Sequence, residues 1–201
     1  TDFLKLPLLY RSFAEEDSAK IGFIADDVTP LRVYEGGTVV RRVYPRGTIV
    51  IERCLRQEHE SGRRRFTISH ECAHYIMDRA FPSAAFHREF DNERIYSQED
   101  FKNLFSFRET QVDRMGAALL MPRFMVRNAA VMHGCTDRIP VYGDSVLRTA
   151  DKLRIKQMAN AMGVSFSAFL IRLRELDCLC YRPLAEYITE EMGLGQDGGA
   201  G

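Results

Sequence analysis

Two histidines stand four residues apart with a glutamate directly after the first, in the stretch Ser69 to Tyr75, SHECAHY. No other feature of the chain constrains its fold as strongly. On a helix, His70 and His74 project from one face and their imidazoles can converge on a point. Glu71 then lies about 100° further round the helix, badly placed to ligate a metal but able to reach a water beside it. Two histidines leave a hydrolytic zinc centre one protein ligand short. The pattern therefore asks for a second element, bearing His, Glu or Asp, packed against this helix. The alternative is a helix that carries two surface histidines by coincidence.

The flanking sequence changes its hydrophobic period at the right place. From Lys20 to Leu55 apolar and polar residues alternate, and Gly36-Gly37 and Pro45-Arg46-Gly47 fall between the runs, which predicts two or three short antiparallel strands. A polar stretch over 56–65 connects them to a helix over 66–79, where Phe66, Ile68, Ala73, Ile76 and Met77 recur at helical spacing and Pro82 follows. Residues 81–106 read as a long loop with one helical turn. Helices are expected over 107–120, 122–132, 144–163 and 165–177, with a Gly- and Pro-containing break at 134–143. The fold class is accordingly α+β, a small antiparallel sheet beside metal-bearing helices. The expected division is a main domain over 1–132, a helical subdomain over 133–190 and a Gly-rich tail over 191–201 that cannot pack.

Composition excludes several classes. Lys plus Arg and Asp plus Glu both number 28 in the 201 residues, so no global field draws the chain to a polyanion. Five cysteines, none in a C-x-x-C pair, argue against a disulfide framework or a four-cysteine zinc site. No apolar run approaches the roughly 20 residues that span a bilayer. A soluble, cytoplasmic protein is the expectation.

The third ligand is sought in Glu109 to Pro122, ETQVDRMGAALLMP. On a helix Glu109, Val112, Asp113 and Gly116 share a face. Glu109 can bind metal, Asp113 can accept a hydrogen bond from the outer nitrogen of a ligating histidine, and Gly116 lets two helices approach closely. A solvated Glu and Asp on a helix surface would give the same spacing.

Taken together, RRRFTISHECAHYIMD (63–78) and, some forty residues on, ETQVDRMGAALLMP resemble the paired motifs of the ImmA/IrrE family of metallopeptidases. The likeness extends from about residue 20 to 126. It implies a zincin-like α+β fold, His70, His74 and Glu109 as ligands of zinc, with manganese the alternative metal, and Glu71 as general base. It also implies a protein substrate, a helix-turn-helix transcriptional repressor whose cleavage relieves repression of mobile-element or stress genes. Val112, Met115 and Cys72-Ala73 depart from the commonest family residues, and none of these changes removes a reactive group.

Other features have plainer readings. Residues 158–176, with Gly163 at a turn and Ser165 placed to cap the next helix, resemble a helix-turn-helix. Arg172 and Arg174 are the residues that would touch phosphate there, although DNA contact is not the favoured role. Arg63-Arg64-Arg65 reads as a solvated run, and Cys72 as a small buried apolar residue. His87, Tyr96, His133 and Tyr142 are the candidates for steadying an oxyanion. The competing function is a non-cleaving regulatory or sensor protein that binds a repressor or DNA through its C-terminal helices, with a structural metal closed by four protein ligands.

Overall fold

Ile49, Val50 and Ile51 are fully buried, and the strand they form organises the first half of the molecule. The computed structural model describes residues 4–17, 20–80, 98–135 and 137–192. The chain divides into two compact units, Thr1–Leu120 and Met121–Gly201.

In the first unit, β1 (Leu8–Arg11), β2 (Gly22–Ile24) and β5 (Ile49–Glu52) form a sheet in the order β1-β5-β2. β2 pairs antiparallel to β5, as the alternation predicts, but β1 pairs parallel to it, Leu8 opposite Ile49. A central strand covered on both faces reads as a continuous apolar run, and the two faces of β5 meet different partners. Ile49 and Ile51 pack with Leu6, Leu55 and Cys72 on the helix side. Val50 packs with Ala25, Leu31, Val33 and Tyr44 on the other. That second layer is the hairpin of β3 (Leu31–Glu35) and β4 (Thr38–Arg42), turned by Gly36 and Gly37, both at positive φ. Cys72 is buried, as expected of a small apolar residue.

A 3-10 helix, Arg53–Arg56, leads from β5 towards α1 (Ser61–Ala80). The helix begins five residues before the expected Phe66. Gly62 falls in the first turn, where backbone N–H groups have no intrahelical partner in any case, so it does not break the helix. Arg64 is drawn inward from the arginine run: its Nη1 donates to the carbonyls of Leu55 and Arg56 at 3.1 and 3.0 Å. α2 covers Gln98–Leu120 and so takes in residues expected to be loop.

The second unit holds α3 (Arg123–Met132), β6 (Ile139–Tyr142), α4 (Thr149–Met162), α5 (Phe166–Glu175), β7 (Leu179–Arg182) and α6 (Leu184–Met192). β6 falls within the stretch expected to be a break, 134–143, and pairs parallel with β7. α4 ends at Gly163 in the left-handed region, and Ser165 Oγ accepts from the Ala168 N–H at 3.2 Å to cap α5, so the helix-turn-helix spacing is realised. Phe169, Leu173, Ile155 and Met158 form its buried side. Arg172 does not face outward. It is buried, with Nε donating to the Met121 carbonyl at 3.0 Å and Nη1 paired to Glu175 at 3.0 Å, so it is committed internally and unavailable to phosphate. No helix of the described residues is long and apolar enough to cross a membrane.

Candidate metal centre

α1 and α2 run antiparallel, and their facing residues pair in a steady register. Ser69 faces Gly116, His70 faces Asp113, His74 faces Glu109, and Asp78 faces Arg108, with which it forms an ion pair. The close approach depends on Gly116. A Cβ there would stand 3.3 Å from both Cα and N of His70, and Ser69 Oγ donates to the Gly116 carbonyl at 2.7 Å. Small residues at this crossing bring the polar side chains one turn away into range of each other.

His70 Nδ1 lies 2.9 Å from Asp113 Oδ1. A carboxylate there holds the Nδ1 proton and leaves the Nε2 lone pair free for a metal. That Nε2 is 3.1 Å from Nε2 of His74 and 3.4 Å from Glu109 Oε2, and His74 Nε2 is 3.7 Å from Glu109 Oε1. These separations fit a shared cation. Ligands about 2.0–2.1 Å from a tetrahedral zinc are roughly 3.3 Å apart, and the three donor groups lie within 4.8 Å of one another. The donor set is also of the right kind, two imidazoles and one carboxylate. Burial pushes the His74 pKa down, which favours the neutral ring that ligates, while the Glu109 charge pulls the other way.

Glu71 stands beside this group in a cleft of about 530 Å³ walled by α1, α2 and β2. Its carboxyl is buried, and its pKa is pushed up to about 8, first by burial and then by the Glu109 charge, against the opposing pull of Lys20 and of the Ile24 backbone N–H. That value belongs to the metal-free protein; a dication on the three donors would oppose it and favour the carboxylate form that accepts a proton from water. Asp17, Lys20 and Phe66 complete much of the lining.

Gly22 of β2 is part of the same arrangement, although sequence reasoning passed over it. A methyl group built on Gly22 would overlap the Glu71 carboxylate and stand 2.7 Å from Thr67 Cγ2. A lone glycine inside a strand-like run such as KIGFIA is a signal of close approach. Gly22→Ala is expected to retain metal while losing at least roughly tenfold in kcat/KM, since displacing a positioned group by a fraction of an ångström misaligns it. Unchanged kcat/KM in that variant would mean that the strand does not hold Glu71 in place.

The structure thus brings His70, Glu71, His74, Glu109 and Asp113 together. Of the oxyanion candidates, His133 follows α3 and Tyr142 ends β6, both in the second unit, while His87 and Tyr96 lie outside the described residues. No curated protein matches the sequence. The family model of the IrrE N-terminal-like domain matches residues 8–174, a span that contains the sheet, both motif helices and the helix-turn-helix pair. The chain belongs to this family, the ImmA/IrrE metallopeptidases.

Proposed function

We propose that this protein is a zinc-dependent endopeptidase, with manganese as the alternative ion, and that it cleaves a helix-turn-helix transcriptional repressor. The observation that carries the reading is the convergence of three metal-donor groups beside a buried carboxyl in an open cleft. Held by His70, His74 and Glu109, a divalent metal would lower the pKa of a water towards ~7 and polarise a carbonyl. Glu71 takes the proton from the attacking water and delivers it to the leaving amine. Asp113 orients His70 through Nδ1, and β2 keeps Glu71 against the cleft. The repressor as substrate is supported by the likeness of the paired motifs to those of family members that act on repressors.

The non-cleaving alternative needs a closed metal site, and three donor residues, not four, gather among the described residues. The test is to incubate zinc-loaded protein with repressors encoded beside it and to weigh the products intact. Two fragments whose masses sum to the repressor plus one water are expected, and a chelator should abolish them. A loaded protein that binds a repressor and leaves it whole would support the regulatory reading.

A further inference from the structure

Away from the metal cleft, three arginines converge on one concavity of the first unit. Arg53 and Arg56 belong to the short 3-10 helix after β5, where three residues per turn stack i and i+3 on the same side. Arg11 ends β1, opposite Glu52 in the parallel pairing with β5. Tyr34 of β3 is brought over the same place because its N–H donates to the Ser12 carbonyl at 2.9 Å. The result is a hollow of about 390 Å³ lined by Tyr10, Arg11, Ser12, Tyr34, Glu35, Arg53 and Arg56. A second hollow of about 510 Å³ shares Ser12, Arg53 and Arg56 with it. Neither shares a residue with the metal cleft.

The nearby carboxylates are already engaged. Glu35 is bound by Arg42 through both oxygens, at 3.0 and 2.6 Å. Glu52 accepts from the backbone N–H groups of Phe13 and Arg53 at 2.7 and 2.8 Å. Among the described residues no carboxylate comes within ion-pair distance of Arg11, Arg53 or Arg56, although the Glu35 carboxylate, held chiefly by Arg42, also feels the Arg11 charge. Arg11 donates to the Tyr10 carbonyl at 2.9 Å, and Arg56 lies over the Tyr10 ring at 5.8 Å. Around the smaller hollow three guanidinium groups face the single carboxylate of Glu35, which Arg42 already holds, so positive charge is in excess and an added anion would offset it. Guanidinium forks suit phosphate oxygens in particular. Tyr34, 52% exposed, offers an aromatic face beside them.

We propose that this hollow binds a nucleoside phosphate, its phosphate on Arg11, Arg53 and Arg56 and its base against Tyr34. The hollow has the size of a small-ligand site, and paired cationic and aromatic groups match a ligand with a charged end and a flat end. The proposal does not depend on the peptidase reading.

Titration calorimetry on the full chain tests it, with adenosine and guanosine monophosphates, the two nucleosides, inorganic phosphate and a short single-stranded oligonucleotide as probes. A monophosphate is expected to bind at one site per chain and to be displaced by inorganic phosphate, while the nucleosides bind at least tenfold more weakly. Arg53→Ala/Arg56→Ala should weaken the nucleotide at least tenfold with metal uptake unchanged. Tyr34→Ser should weaken the nucleotide and leave inorganic phosphate unaffected. Equal binding of nucleoside and nucleotide, full affinity in the double variant, binding of the oligonucleotide alone, or no binding by any probe would overturn the assignment.

Discussion

Glu71→Gln is expected to keep its metal and to lose peptide hydrolysis by roughly 10³-fold, the scale on which a positioned acid–base group contributes. Glutamine fills the same buried space and can still accept from the Ile24 N–H through its amide oxygen, so the cleft should keep its shape. What it cannot do is take a proton from water. Retained turnover with unchanged metal content would remove Glu71 from the mechanism. The same variant has a second readout in the metal-free protein. The folded carboxyl titrates at about 8, raised from 4.5, so the folded state binds more protons than the unfolded chain between those values. Its contribution to stability is therefore complete below pH 4.5 and is lost as pH rises through 8, at up to about 1.4 kcal/mol per pH unit. Denaturation of the metal-free wild type at several pH values should show that decline, and Gln should flatten it.

Removal of a ligand has the other large effect. His74→Ala deletes one of the three proposed protein donors and is expected to leave no metal after dialysis, with an affinity at least roughly 10³-fold lower. Glu109→Ala should do the same. Asp113→Asn leaves the three proposed donors in place; it exchanges the carboxylate that holds the His70 Nδ1 proton at 2.9 Å for a weaker, neutral acceptor. Loss of such an outer partner weakens metal by ~10- to 100-fold. The expected order in competition with a chromogenic chelator is wild type, then Asp113→Asn, then the two ligand variants. If Asp113→Asn lost metal as completely as His74→Ala, Asp113 would have to be reassigned as a ligand.

Much of this arrangement was legible before any coordinates because it is periodic. Residues four apart on a helix must share a face, so His70 with His74 and Glu109 with Asp113 form two stripes whatever else the chain does. Gly116 indicated that the two helices could touch. The alternation in residues 31–42 announced β3 and β4 for a similar reason, and β5 was marked by a β-branched run after the turn at Pro45-Arg46-Gly47. Short, non-local pairings were not legible. β1, β6 and β7 have four residues each and, unlike β5, no pair of turn signals setting them off, and the parallel register of β1 with β5 is fixed by tertiary packing. Arg172 looked like a surface cation on a recognition helix, yet its partner is the Met121 carbonyl, 51 residues away, and nothing in the local sequence announces it. The arginine hollow escaped notice likewise, because Arg11, Tyr34 and Arg53 meet only through pairings between separate strands. Gly22 is the exception: its isolation in a strand pattern was readable and was passed over.

The most direct test is to locate the metal itself, by anomalous scattering at the zinc edge from crystals of the zinc-loaded protein. One peak per chain is expected, ~2.0–2.2 Å from His70 Nε2, His74 Nε2 and a Glu109 oxygen, with the remaining position open to solvent. No peak at these residues, or a fourth protein ligand closing the site, would contradict the hydrolytic centre.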